Sequence, residues 1–398
     1  MSFYWYVIVI ALAGLVTFVT TPFVIKLATH YNIIDYPDGR RINDVPTPRP
    51  GGIALYVGIA VSLAVFALLF SFSNTQIRFG FTSDINYFGV ALAATVVFGV
   101  GLVDDVRSLK PLTKFLWQIV AATIACLSGA LFSRIDIPML REITPLGFLS
   151  YPITIFYLVA FANIINLIDG IDGLAAGITT ISAVTLFIVS LQKGGYDAAL
   201  LAMALIGACV AFLWYNKNPA RIFMGDSGAY LLGFSLGLVS LFGLVRTPAL
   251  ITMAVPVVIA GIPVLDTFSA IIRRIRAGSA VGDADVEHIH HRMLEIGLSQ
   301  KRILFILCGL TALTSGCALL LTQFTGWVRW ATLAVLLVVA FVIVNRLRLM
   351  NPVLRHYYAK KAETAEFKAV MATGQFQAVG DTENKQESYD AVADLFED

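Results

Sequence analysis

Charge is scarce in this sequence. Of 398 residues only 14% are Asp, Glu, Lys or Arg, against 58% hydrophobic, which excludes a soluble domain of ordinary composition. A basic excess is lacking too, because the formal net charge of +2 gives no footing for nucleic acid. Cysteine is rare: Cys126, Cys209, Cys308 and Cys317 each fall inside an apolar run, where a thiol packs as a small apolar side chain rather than joining a disulfide framework. The segment Met1-Ser-Phe-Tyr-Trp-Tyr6 has no basic stretch and no small-residue cleavage site behind it, so a removable signal peptide is not expected. No internal repeat and no second globular domain stand out.

Long apolar runs fill the remaining space. A hydrocarbon core about 30 Å thick needs about 20 apolar residues per helix, and eleven runs qualify, near 4–27, 52–72, 86–103, 115–132, 150–167, 174–191, 197–215, 228–245, 249–272, 303–322 and 327–345. The expected fold is an all-α polytopic membrane protein: a transmembrane domain over 1–350, then a cytoplasmic tail over 351–398 whose distal, polar part stays flexible. Tyr4, Trp5 and Tyr6 suit an interfacial aromatic belt. Alternate loops and the segment 346–362 hold nineteen Lys and Arg, the opposite loops six, which places the N-terminus outside and the C-terminus in the cytoplasm.

Five carboxylates then fall on the cytoplasmic face, in three phrases. Gly101-Leu-Val-Asp104-Asp105-Val-Arg107 ends one run, with Lys110 and Lys114 following. Adjacent carboxylates beside cations can hold a divalent metal or raise a carboxylate pKa by repulsion; they can equally be a solvated helix end. Asn163-Ile-Ile-Asn166-Leu-Ile-Asp169-Gly-Ile-Asp172-Gly places two amides three apart inside an apolar run, so they need partners, and interhelical pairing would supply them. Glycines beside Asp169 and Asp172 permit the tight backbone that lets a phosphate approach N–H groups. In Trp214-Tyr-Asn216-Lys217-Asn-Pro219-Ala-Arg221-Ile-Phe223-Met-Gly225-Asp226-Ser227-Gly228, Phe223 can stack on a base, Asn216 can read its polar edge and Asp226 can bind a metal. The alternative is an ordinary hairpin loop between membrane helices.

His288-Ile-His290-His291 lies in the longest internal cytoplasmic loop. Three histidines can mean Zn²⁺, but no cysteine is near, and the surrounding Arg273, Arg274, Arg276, Arg292, Lys301 and Arg302 favour phosphate or sugar contacts. His30 and His356 stand alone. Asp266, seven residues before Arg273, sits roughly 10 Å inside its span, where an acid is paired or functional. The loop from Asn43 to Gly52 is stiffened by Pro46, Pro48 and Pro50 and serves as a rigid linker or a substrate contact.

In this order the phrases resemble the polyprenyl-phosphate N-acetylhexosamine-1-phosphate transferase family, closest to its bacterial undecaprenyl-phosphate N-acetylglucosamine-1-phosphate transferases. The resemblance covers about residues 30 to 300, and the combined Asn-x-x-Asn-x-x-Asp-Gly-x-Asp-Gly, Phe-Met-Gly-Asp-Ser-Gly and His-Ile-His-His set carries it. With about eleven transmembrane helices expected from the apolar runs, it implies an active site at their cytoplasmic ends, in the plasma (inner) membrane. It implies Mg²⁺, or Mn²⁺ in its place, on Asp226 with Asp172, and Asp104 and Asp105 as catalytic carboxylates beside the lipid phosphate. Asn166, Asp169, Asp172, Asn216 and Phe223 would hold the nucleotide, while Arg107, Lys114, His288, His290 and His291 would hold phosphate and sugar, with Asn163 and Asp266 as further candidates. Arg107 occupies a place where relatives carry Lys, which keeps the charge but changes its geometry.

The implied reaction takes UDP-GlcNAc and undecaprenyl or another polyprenyl phosphate at the bilayer surface to polyprenyl-diphospho-GlcNAc and UMP, with no nucleic acid involved and a homodimer compatible with it. Rivals within the family are a phospho-MurNAc-pentapeptide translocase and a GalNAc-1-phosphate transferase. A secondary transporter is the rival from another class, but transporters place coupling acids near the midplane of broken helices, often with repeats; here the acids line one edge.

Overall fold

The computed structural model describes residues 3–36, 45–72, 85–132, 134–137, 142–244, 261, 264–267, 269, 289–324 and 326–346. Its helices are α1 (Phe3–His30), α2 (Gly52–Phe72), α3 (Tyr87–Val106), α4 (Pro111–Leu127), α5 (Ser150–Ile168), α6 (Leu174–Gln192), α7 (Tyr196–Asn216), α8 (Gly225–Leu244), α9 (Ile289–Glu295), α10 (Gln300–Gln323) and α11 (Trp327–Arg346). Among the described residues eight helices are long and apolar enough to cross a membrane, and α4 and α11 provide shorter apolar stretches. The protein is thus an all-α polytopic membrane protein. The expected span 249–272 lies largely outside the described residues, although 261, 264–267 and 269 are helical, and the expected tail 351–398 lies wholly outside them. Two short antiparallel pairs join β1 (Ile34–Asp35) to β2 (Thr47–Pro48) and β3 (Arg134–Ile137) to β4 (Glu142–Pro145).

Helix faces follow the division between protein and lipid. In α1 the buried Val9, Ala13, Thr17, Thr21, Val24 and Ala28 recur every three or four residues and turn towards α2 and α7, while Leu15, Phe18 and Phe23 are exposed, as a helical period requires. Gly14 meets Gly207 where α1 crosses α7, and a Cβ on Gly207 would strike the Ile10 carbonyl. Small residues let such backbones touch.

The centre of the bundle is α8, almost wholly buried and in contact with α2, α3, α5, α6 and α7. Its Gly233 and Gly237, four apart, face Phe161 and Leu158 of α5, and Gly101 of α3 faces the Ser227 backbone. The helix that carries Asp226 in its first turn is therefore held on all sides. α4 starts at Pro111, four residues before its apolar run suggests, because proline suits the first helical position, and it ends before Gly129, which has φ +92°. That earlier start puts Lys114 in the first turn, next to the end of α3.

Candidate active site

Three chain segments converge on the N-terminus of α8. Asp105, near the end of α3, accepts the Asp226 N–H at 2.8 Å on one oxygen, and on the other the Ser227 N–H at 3.1 Å and the Ser227 hydroxyl at 2.5 Å. The first N–H groups of a helix have no acceptor within it, so this fully buried side chain caps α8 from another helix. Gly225 precedes the cap with φ +70°. A Cβ there would lie 2.6 Å from the Arg49 carbonyl oxygen and 2.5 Å from Asp105 Oδ2, so glycine alone fits.

Asp104 has different partners. Its Oδ1 accepts the Leu109 N–H at 2.7 Å, and its Oδ2 accepts Lys114 Nζ at 2.6 Å. The same ammonium donates to Asp226 Oδ2 at 3.1 Å. One cation thus holds two carboxylates from α3 and α8 that would otherwise repel. Tyr230, one turn along α8, lies close to Asp226 and Asn166.

The proline-rich loop forms the third wall. Phe223 N–H donates to the Pro48 carbonyl at 2.8 Å, Gly51 N–H to the Phe223 carbonyl at 2.9 Å and Gly52 N–H to the Met224 carbonyl at 2.8 Å. Both sides of Phe223's backbone are therefore pinned, and its side chain is half-buried at the edge of the site. Arg49 projects from this loop, with Nε 3.8 Å from Asp105 and Nη1 4.0 Å from Asp35.

Asp169 caps the C-terminus of α5. Burial, then the charges of Asp226, Asp105 and Asp172, push its carboxyl well above the usual carboxylate range, against the opposing pull of Arg49. Asp172 Oδ2 accepts Asn218 Nδ2 at 3.1 Å and the Ala220 N–H at 3.0 Å, and Asn218 Nδ2 also donates to Gln300 Oε1 at 2.6 Å at the start of α10. Burial raises the Asp172 carboxyl as well, with those two hydrogen bonds opposing it.

The structure gathers Asp104, Asp105, Lys114, Asn166, Asp169, Asp172, Phe223 and Asp226 at one end of the bundle. Asn216 turns elsewhere: it is 2% exposed, its Oδ1 takes the Gly173 N–H at 3.0 Å and its Nδ2 donates to the Ile222 carbonyl at 2.9 Å. That amide ties two backbone segments together instead of presenting an edge to a base. Asn163 donates to Gln118 Oε1 at 2.6 Å and to the Val159 carbonyl at 2.8 Å, so interhelical pairing accounts for it. Asp266 is 1% exposed and accepts the Ile289 N–H at 2.9 Å, which caps α9. Arg107 is exposed at the end of α3. His288 lies outside the described residues; His290 and His291 are on α9, with their side chains outside them.

Sequence reasoning passed over Arg49, Ser227, Tyr230, Asn218 and Gln300. Of these Arg49 had a visible signal, a lone charge between two prolines and ahead of two glycines. Among the described residues no three His, Cys, Asp or Glu side chains converge as a metal-enclosing group. The facing pair Asp104 and Asp226 still fits Mg²⁺, which takes one or two carboxylates and completes its shell with water and substrate phosphates.

The sequence profile of glycosyl transferase family 4 matches residues 87–244, from the start of α3 to the end of α8. The chain is 31% identical over 337 residues to a probable undecaprenyl-phosphate N-acetylglucosaminyl 1-phosphate transferase of Bacillus subtilis, covering 85% of this chain and 90% of the relative. It is 34% identical to a decaprenyl-phosphate N-acetylglucosaminephosphotransferase of Mycolicibacterium smegmatis, over 74% of this chain and 77% of that one. A phospho-N-acetylmuramoyl-pentapeptide-transferase of Bacillus thuringiensis is 30% identical, over 71% and 86% respectively.

Proposed function

The chain belongs to glycosyl transferase family 4, and on that premise we propose that it transfers GlcNAc-1-phosphate from UDP-GlcNAc to undecaprenyl or another polyprenyl phosphate, releasing UMP. The coarser activity, sugar-phosphate transfer to a polyprenyl phosphate, is that of the family. The observation that supports phosphate transfer is Lys114 bridging Asp104 and Asp226 at the end of the bundle; the finer reading rests on the N-acetylglucosamine named for two relatives. The protein sits in the plasma membrane with this face towards the cytoplasm, where a soluble nucleotide sugar and a lipid phosphate can meet.

A phosphate oxygen of the lipid attacks the β-phosphorus of the donor, the new P–O bond forms and the bond to the UMP oxygen breaks. Phosphoryl transfer of this kind rests on positioning and charge neutralisation. Asp104 and Asp226 are the residues that would hold Mg²⁺, which when bound neutralises phosphate oxygens and the leaving group. Lys114 places a positive charge beside both carboxylates, within reach of phosphate oxygens. Asp105, with both oxygens committed to α8, keeps Asp226 in register; Asp104, joined to Lys114, orients the lipid phosphate through that ammonium. Phe223 offers a ring for the uracil, and Asp169 lies close to Asp226, Asp105 and Asp172.

The test is UMP release by purified protein in detergent with undecaprenyl phosphate and Mg²⁺, comparing UDP-GlcNAc, UDP-GalNAc and UDP-MurNAc-pentapeptide. Lipid-dependent release with UDP-GlcNAc alone is the expected result. Release with another donor alone overturns the sugar assignment, and no release from folded protein with any donor overturns the reading.

A further inference from the structure

Arg49 is held more rigidly than its charge needs if it were only a counterion. Its N–H donates to the Ile33 carbonyl at 3.2 Å and its carbonyl accepts the Gly51 N–H at 3.0 Å. Pro48 and Pro50 flank it, and the same loop is fastened to Phe223 and Met224 by three backbone hydrogen bonds. A Cβ on Gly51 would lie 2.6 Å from the Phe212 ring, so the loop lies flat against α7 with no room to shift.

The guanidinium, by contrast, is unspent. It has five N–H donors, yet among the described residues it donates no hydrogen bond. Its distances of 3.8 Å to Asp105 and 4.0 Å to Asp35 are ion-pair approaches beyond hydrogen-bonding range, whereas an arginine committed to a carboxylate closes to about 2.7–2.9 Å, often with both arms of its fork. Asp105 does not need it, because three shorter donors already fill that carboxylate. The side chain is one-third exposed beside the Asp105 that caps α8, so it is open to a ligand. Lys114 is the other cation paired with the Asp104, Asp105 and Asp226 group among the described residues, and its ammonium is engaged by two carboxylates.

We propose that Arg49 binds a reacting phosphate group directly, its planar fork taking two oxygens of either the donor's diphosphate or the lipid phosphate. A preformed fork on a stiff loop loses little freedom when a phosphate arrives. The assignment rests on the substrate reading above, and the experiment separates the two.

Arg49→Gln and Arg49→Lys are compared with wild type for KM of UDP-GlcNAc, KM of undecaprenyl phosphate and kcat, with thermal melts alongside. Stabilisation of each protein by inorganic pyrophosphate is recorded as a readout that needs no turnover. The expected result is an unchanged melting temperature, a loss of at least about tenfold in kcat/KM for Arg49→Gln with partial recovery in Arg49→Lys, and loss of the pyrophosphate shift in Arg49→Gln. A rise in KM for the nucleotide sugar assigns the fork to the diphosphate; a rise in KM for the lipid assigns it to the lipid phosphate. The proposal is overturned if kcat/KM stays within about twofold in both variants, or if activity is lost only in step with the melting temperature. Should wild type release no UMP from any donor while pyrophosphate stabilises it and not Arg49→Gln, the substrate reading falls and the phosphate contact stands; no shift in wild type either would sink both.

Discussion

Asp104 and Asp105 are neighbours in sequence with different duties, and their hydrogen bonds separate them. Asp105 accepts three donors from the first turn of α8. Asn in its place keeps the shape but turns an NH₂ group towards N–H donors that need an acceptor. Asp105→Asn is therefore expected to lower stability by about 1–3 kcal/mol, read as a fall in melting temperature in detergent, and to lower kcat more than it raises KM, because Asp226 loses its register. An unchanged melting temperature with full activity would show that α8 is held in place without this cap. The sequence makes the convergence of Asp104, Asp105 and Asp226 legible, since each closes or opens an apolar run on the same side. It does not show which of the adjacent acids is the anchor, because that depends on which carboxylate faces Ser227 across the α3–α8 contact.

At the scale of elements, α4 and α5 are joined inside the apolar layer by Asn163 and Gln118. Gln118 is 1% exposed and among the described residues its Nε2 has no partner, so the pair is only partly satisfied. Removing Asn163 strands the rest of the Gln118 amide. Asn163→Leu alone is expected to cost about 1–3 kcal/mol. The double variant Gln118→Leu with Asn163→Leu is expected to cost less than the single change, which a double-mutant cycle of thermal inactivation would measure; additive losses would mean that the two amides act independently. Helix positions were largely readable from apolar runs, with α2 observed as expected at 52–72. The start of α4 was not, because Lys114 and Gln118 dilute its first turns and only Pro111 marks its beginning. The fastening of the 47–52 loop to Phe223 and Met224 was hidden for another reason: backbone pairing between segments some 175 residues apart leaves no periodic trace in side chains.

For the whole molecule, the distribution of basic residues makes a prediction about orientation. In a cysteine-free background, Phe148→Cys, exposed before α5, is expected to react with a membrane-impermeant maleimide in intact cells. Lys110→Cys, exposed before α4, is expected to react only after the membrane is opened. The reverse pattern would turn the protein over and put its acidic face outside, away from any cytosolic donor. Turnover of each variant is measured alongside, so that labelling is read on folded protein.

The burial of α8 also bears on how the chain is made. It is the least apolar of the eight membrane-spanning candidates and the most enclosed, so the bilayer alone would accept it least readily. Among the described residues its main neighbours α2, α3, α5, α6 and α7 precede it in the chain and are synthesised first. The segment that brings Asp226 into place can therefore enter a cradle of protein already waiting in the membrane, and assembly of the catalytic centre becomes a late event in biogenesis, completed only when the eighth helix arrives.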